Sequence, residues 1–282
     1  MMIMENYNEL VRPKKALGQH FLVDLNIARK IVDALSTDHD TVIEVGAGMG
    51  VLTQYLIENQ LDKLQVVEID KESVEFLKKK FPELDGHLVL GDFLKYDLCT
   101  DTPRVSSPDV AVIGNFPYNI SSQIFFQILK YRNNVSECVG MIQKEVAERL
   151  AAGPGSKTYG ILSVLLQAWY DIEYLFTVNE NVFNPPPKVK SAVIRLKRNN
   201  VKELECDEKL FVTVVKQAFN QRRKTLRNSL RSMIPAEIID NEIFNKRPEQ
   251  LSVAEFVDIV RHFERNVVKS RPERSESIRL GE

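Results

Sequence analysis

Asn115, Phe116, Pro117 and Tyr118 follow an apolar run, Val110 to Ile113, that ends in glycine. Neither strand nor helix requires an amide, two aromatic rings and a proline in that order. Their chemistry is that of a clamp. The Asn115 side chain offers an amide oxygen as acceptor. Pro117 stiffens the backbone, removes one donor and leaves neighbouring carbonyls as acceptors. Tyr118 offers a flat ring. Acceptors beside a stacking surface suit a planar substrate with an amino group, as proteins hold unstacked bases. An exocyclic amine is a weak nucleophile because its lone pair is delocalised into the ring. Accepting both of its hydrogens favours a more tetrahedral nitrogen and aims the lone pair at a methyl carbon, so positioning and electrostatics carry the rate. Methylation at a pyrimidine carbon would instead want a cysteine nucleophile. Cys99, Cys138 and Cys206 all lie outside this stretch.

The electrophile points to a second stretch. In "VIEVGAGMGVLT", Gly46, Gly48 and Gly50 stand between a β-branched run and a helical pattern. Glycines there let a ligand approach main-chain N–H groups at a helix start. Glu68 closes the next apolar run and suits two ribose hydroxyls, and Asp92 closes a third and suits an adenine amino group. The set predicts an adenosine-containing cofactor. NAD and S-adenosylmethionine both place a ribose on an acid. The G-x-G-x-G spacing, preceded by Glu44, tends to the second, because a pyrophosphate expects G-x-G-x-x-G.

These residues act together only if one framework brings them to one edge. Residues 24–35 read as a helix with Asp24 as N-cap. Five apolar runs, in "TVIEV", "KLQVVEID", "GHLVLGD", "DVAVIGN" and "ECVGMIQ", each precede a glycine turn or a helical pattern. That alternation predicts an α/β fold, a mostly parallel Rossmann-like sheet with helices on both faces. Gly46, Glu68, Asp92 and Asn115 then share the carboxyl edge, where open α/β sheets bind ligands. Past the breaker-rich "GPGSKTYG", an apolar helix is expected over 161–172. Late strands are expected at 172–178 and 191–198, around Asn184 and three prolines. Residues 199–207 are polar and read as a linker, and 208–264 read as wholly helical. The expected division is a methyltransferase-type domain at 1–200 and a small all-helical domain at 201–282. The charged tail after Asn266 is expected to be loose.

The chain of 282 residues carries a net charge of −1, so no global field marks a nucleic-acid binder. Three cysteines and four histidines, widely scattered, argue against a disulfide framework and a metal site. The N-terminal "MMIMENYNEL" lacks the layout of a signal or transit peptide, and no run matches the ~20 apolar residues of a membrane span. A cytoplasmic protein, monomeric for want of an apolar patch signal, is expected.

The motifs "KKALGQHFL", "VIEVGAGMGVLT", "VVEID", "GDFLKYD", "GNFPYNISS", "MIQKEVAERL", "VFNPPPKVKSAVIRL" and "AFNQRRKTLRNSL" occur in this order across roughly residues 14–262. Together they resemble the ribosomal RNA adenine dimethyltransferases. The match is closest to the branch that dimethylates N6 of two adjacent adenosines near the 3′ end of small-subunit (16S) rRNA, within a pre-ribosomal 30S particle. The resemblance implies S-adenosylmethionine contacts from His20, Leu22, Gly46, Glu68, Asp92 and Asn115. It also implies that Tyr118 and Phe183 flank the target adenine. His20 stands where the family normally has Asn, and Phe116 replaces a common Leu. Competing readings are a large-subunit (23S) adenine-N6 methyltransferase of the antibiotic-resistance type and a non-catalytic RNA-binding assembly factor. The helical C-terminal segment argues against the first, and the intact Glu68, Asp92 and Asn-Phe-Pro-Tyr set against the second.

RNA contact has local candidates. Lys216, Arg222, Arg223, Lys224, Arg227 and Arg231 form a run of six positive charges with no acid between them. Read as one helix, Lys216, Arg223, Arg227 and Arg231 share an exposed face opposite an apolar stripe of Phe211, Val214, Val215, Ala218 and Phe219. Such a run suits phosphate contact. Arg12, Lys14 and Lys15 form a second cluster, and Lys157 and Tyr159, in the glycine-flanked loop, are further candidates.

Overall fold

A computed structural model of the protein describes residues 11–98 and 109–269. The N-terminal decapeptide, Cys99 and the tail beyond residue 269 lie outside the described residues. The chain divides into two compact units, one of 11–151 with Trp169–Lys202, the other of Ala152–Ala168 with the residues from Glu203 on.

The first unit is built on a seven-stranded sheet. Its strands in chain order are β2 (Thr41–Val45), β3 (Leu64–Glu68), β4 (Leu88–Leu90), β5 (Val110–Asn115), β6 (Val135–Gln143), β7 (Tyr170–Val178) and β9 (Ser191–Arg198). Across the sheet they run β4-β3-β2-β5-β6-β9-β7. The five from β4 to β6 are parallel, and β9 is antiparallel to both β6 and β7. Every residue of β2 and β3 is buried, as parallel strands covered on both faces must be. Helices α1 (Leu25–Asp33), α2 (Thr53–Gln60), α3 (Lys71–Lys80), α4 (Ser121–Lys130) and α5 (Lys144–Ala151) belong to this unit. Asp24 caps α1 as its sequence predicts, accepting from the Asn26 and Ile27 amides. Asp70 caps α3 in the same way through the Glu72 amide.

One small element was not legible in the sequence. Phe21–Leu22 (β1) pairs antiparallel with Phe183–Asn184 (β8), placing Leu22 opposite Phe183. This two-stranded ribbon ties the segment before α1 to the segment before the prolines.

The second unit holds α6 (Ile161–Gln167), α7 (Glu208–Asn220), α8 (Leu226–Ser229) and α9 (Val253–Lys269), with three short 3₁₀ turns between α8 and α9. Two expected helices are cut short. The helix expected over 161–172 stops at Gln167, and β7 begins at Tyr170. The helix expected from 208 to 234 stops at Asn220, where Gln221 leaves helical geometry at φ −120°. Arg222, Arg223 and Lys224 follow at once, and cations at a helix C-terminus are favoured by its dipole, whereas a further helix would stack them. The apolar stripe from Phe211 to Phe219 is buried as expected. The division at 200–201 expected from the linker differs from the observed units in one respect: residues 152–168 pack with the helical unit. Tyr159 sits edge-on to Phe219 of α7 at 6.4 Å, and burying that pair draws the segment in. Helix α9 runs to Lys269, past the Asn266 at which looseness was expected.

Candidate active site

At the carboxyl edge of the sheet a cavity of about 240 Å³ opens, lined by the turn after β2, the ends of β3 and β5, and Asp92 after β4. Gly46, Gly48 and Gly50 all have positive φ, between 56° and 76°. Their surroundings separate their roles. A Cβ on Gly46 would meet nothing within 4 Å, so this position borders the open cavity. A Cβ on Gly48 would fall 2.8 Å from the Phe21 ring, and one on Gly50 2.4 Å from Phe81. Gly46 therefore leaves room for a ligand, while Gly48 and Gly50 allow close packing behind the turn.

Glu68, 2% exposed, lines the cavity. Its Oε2 accepts the Gly48 amide at 2.9 Å and its Oε1 the Asp70 amide at 2.8 Å. Burial pushes its pKa up, and the two amides work against that shift. The carboxylate thus fixes the glycine turn and keeps lone pairs for hydroxyl donors. Glu44, two residues before Gly46, is fully buried with Oε2 unpartnered, and burial pushes its pKa up to about 8. A neutral Glu44 avoids a second buried charge beside Glu68. Asp92 accepts the Leu94 amide through Oδ1 at 3.0 Å. Ile69, exposed beside Glu68, supplies an apolar wall that the sequence did not single out.

A strap from Ala16 to Phe21 closes another side of the cavity. Its start is tethered to α3: Lys14 Nζ lies 2.6 Å from Asp70 and 3.1 Å from Glu72. Burial alone would raise the Asp70 pKa, but Lys14, the Glu72 amide and Gln19 outweigh it and hold the carboxyl below its usual value. Lys14, expected as a phosphate contact, is thereby engaged as an anchor. Gly18 turns at φ 64°, and a Cβ there would lie 2.6 Å from the Asn119 amide oxygen, so Asn119 packs on the strap.

Asn115 ends β5 inside the cavity, and its Nδ2 donates to the His20 carbonyl at 2.9 Å. A carbonyl only accepts, so the amide nitrogen must face His20, leaving Oδ1 as the acceptor on the other side. Phe116 is 1% exposed, fills the space over Gly114 and Gly140, and meets Phe125 edge-on at 6.1 Å. This apolar anchor holds Pro117 and Tyr118 at the rim. The Tyr118 hydroxyl bonds Ser191 Oγ at 2.5 Å, and its ring stacks on His20 with centroids 5.6 Å apart. Burial raises the Tyr118 pKa, with Ser191 partly offsetting it, so the phenol stays neutral.

The structure thus brings His20, Gly46, Gly48 and Glu68 to one cavity with Asp92, Asn115, Pro117 and Tyr118. Leu22 and Phe183 are placed differently. They are 3% and 4% exposed, belong to the apolar core with Val178 and Val193, and do not line the cavity. Their β1–β8 pairing turns both side chains inward. Cys138 lies buried in β6, where burial pushes its thiol pKa up. Among the described residues no group of three or more His, Cys, Asp or Glu could hold a metal ion. No described helix is long and apolar enough to cross a membrane.

The basic run lies in the second unit, and there too the structure sorts the candidates. Arg222 donates to the Lys157 carbonyl. Arg222 and Arg223 line a cavity of about 440 Å³ with Lys157, Arg247 and Glu249. Lys224 and Arg231 are exposed. Arg227 pairs with Asp240 at 3.3 Å and donates to Asn245 at 3.2 Å, so it braces the unit's own loops. The single exposed face expected for Arg223, Arg227 and Arg231 does not form, because α7 ends before them. Tyr159 is 0% exposed and belongs to the core.

Comparison with known proteins gives concordant results. The family model for ribosomal RNA adenine dimethylase matches residues 11–265. A Parabacteroides distasonis protein named ribosomal RNA small subunit methyltransferase A is 62% identical over 89% of this chain and 93% of its own length. A Cytophaga hutchinsonii protein of the same name is 60% identical over 89% and 97%. Among solved structures, a dimethyladenosine transferase from Plasmodium falciparum aligns with TM-score 0.73 and 24% identity over 88% of this chain and 98% of its own. The 23S rRNA methyltransferase ErmE aligns with TM-score 0.65 and 24% identity over 86% and 99%. These two likenesses show the fold.

Proposed function

This chain belongs to the ribosomal RNA adenine dimethylase family and is an S-adenosylmethionine-dependent methyltransferase, and from that premise we propose that it dimethylates N6 of two adjacent adenosines near the 3′ end of 16S rRNA in a pre-ribosomal 30S particle. The observation that carries the proposal is Asn115. Its amide is oriented by the His20 carbonyl, so that Oδ1 serves as acceptor in the cavity that also holds Glu68 and Tyr118. The residues present fit the cofactor. Gly46 leaves open space at the turn, Glu68 keeps lone pairs for ribose hydroxyls, and Asp92 can accept from an adenine amino group. When bound, S-adenosylmethionine supplies a methyl group on a sulfonium, an electrophile needing no metal.

The remaining work falls to this chain's side chains. Tyr118 stacks the target base. Asn115 Oδ1 and a carbonyl of the adjoining backbone accept the amino hydrogens, which raises the nucleophilicity of N6. Rigid mounting by Phe116, Pro117 and Ser191 limits the motion that would misalign the lone pair. Arg222, Arg223, Lys224 and Arg231, with Lys157 and Arg247, are assigned to the RNA backbone. They position the substrate, while base and shape supply selectivity. Relatives at 56–62% identity that are named for the small subunit favour this reading over a 23S target. The enzyme is proposed to act as a cytoplasmic monomer.

Mass mapping of adenosines in undermethylated small subunits incubated with protein and S-adenosylmethionine tests the proposal. Two adjacent dimethyladenosines near the 3′ end of 16S rRNA are expected, and product in 23S rRNA alone would overturn it. Asn115→Ala is expected to lower turnover by about 10²-fold or more, the cost of losing one oriented polar group in a transition state. Near-wild-type turnover would remove Asn115 from the mechanism.

A further inference from the structure

Three independent contacts converge on His20. Its backbone carbonyl receives the Asn115 amide at 2.9 Å. Its ring stacks on Tyr118, centroids 5.6 Å apart and planes 27° from parallel. Its Nδ1 lies 2.8 Å from the Pro185 carbonyl, 165 residues along the chain. Because a carbonyl only accepts, Nδ1 carries the proton and the ring orientation is set. The imidazole cannot rotate off Tyr118 without breaking that bond. The Tyr118 ring is thus held at its hydroxyl by Ser191 and on one face by His20.

We infer that His20 is a positioning residue for the target base: its locked imidazole backs the Tyr118 ring, so that an incoming base stacks on the opposite face alone, while its carbonyl orients Asn115. This rests on the proposed adenine-N6 activity. It assigns the side chain to the base and not to the cofactor.

The effect should be unequal between the two methyl transfers. In the first, N6 presents two hydrogens, and acceptors can hold both. In the second, N6 already carries a methyl group and presents one hydrogen. Its alignment then depends more heavily on the stacking surface. A loosened Tyr118 should therefore slow the second transfer more than the first.

The test compares wild type, His20→Ala and His20→Phe on undermethylated small subunits. Readouts are kcat and KM for the subunit, the ratio of monomethyl to dimethyl adenosine, and S-adenosylmethionine affinity by calorimetry. His20→Ala is expected to lower kcat by about tenfold or more, as small misplacements do, and to accumulate monomethyl product with cofactor affinity unchanged. His20→Phe keeps a flat ring against Tyr118 but not the bond to Pro185, and is expected to fall between wild type and His20→Ala in rate and dimethyl product. The inference is overturned if His20→Ala matches wild type in rate and product ratio. It is equally overturned if His20→Phe is as impaired as His20→Ala, or if either variant loses cofactor affinity. The calorimetry also registers a folded cofactor site. If wild type binds S-adenosylmethionine but methylates no adenosine, it is the proposed function that fails.

Discussion

Replacing Glu44 by Gln separates the electrostatics of the glycine turn from its shape. Glu44 is fully buried, and its pKa is raised from 4.5 to about 8, chiefly by burial. A carboxyl whose folded pKa lies above its unfolded value destabilises the fold as pH rises. Between the two values the unfolded chain ionises freely and the folded one must keep its proton. Each pH unit in that interval therefore costs about 1.4 kcal/mol. Between pH 5.5 and 7.5 the wild type should lose about 3 kcal/mol from this group. The slope is full well below the folded value and flattens within about one pH unit of it. Glu44→Gln preserves the size and the hydrogen-bonding ability of the neutral acid and cannot ionise. The difference in unfolding free energy, variant minus wild type, should then climb in favour of the variant by about 3 kcal/mol over those two pH units. Titrating groups remote from the turn cancel in the difference, and Glu68, whose charge helps to raise the Glu44 pKa, is the one neighbour that does not. Urea titrations of both proteins at pH 5.5, 6.5 and 7.5 give the numbers. Parallel pH curves would show that Glu44 is ionised in the folded protein and refute the reasoning.

The glycines differ in what a methyl group would do: Gly46→Ala meets no atom within 4 Å and should cost about 1–2 kcal/mol of backbone strain while abolishing S-adenosylmethionine binding. Gly50→Ala adds a clash with Phe81 and should cost about 2–5 kcal/mol in all; chemical denaturation and calorimetry distinguish the two. His39 is bonded to Glu137 at 2.8 Å and Asp109 at 3.2 Å, and the Glu137 bond raises its pKa despite burial. Its contribution is full below the unfolded value of 6.5 and fades as pH passes the folded one, so His39→Gln should destabilise by about 2 kcal/mol at pH 6 and by less at pH 9. Arg222→Ala with Arg223→Ala should weaken RNA binding and lower the slope of log affinity against log salt by about 1.4–1.8, the share of two phosphate contacts. Arg227→Ala, by contrast, should lower thermal stability and leave the salt slope unchanged, since it pairs with Asp240.

Local and periodic signals were enough to read the parallel sheet, the glycine turn with its acids, and the Asn-Phe-Pro-Tyr segment at the end of β5. Each of these is local or periodic. Buried strands must be apolar throughout, a turn with three positive φ angles selects glycine, and an acceptor must end the strand that delivers it. The capping of α1 by Asp24 was legible for the same reason, because a cap bonds two or three residues away. Which of these residues meet depends on contacts far apart in the chain. The bond from Asn115 to His20 spans 95 residues, that from Tyr118 to Ser191 spans 73, and that from Lys14 to Asp70 spans 56. No local pattern encodes such pairs. The same holds for Phe183 and Leu22, whose pairing draws both into the core, and for Arg227, which helical spacing alone would place on a binding face. Its engagement depends on an acid 13 residues further on, past the end of α8, which helical spacing does not reach. Residue type determines what a side chain can do, and the long-range pairing of the folded chain determines which partner it meets.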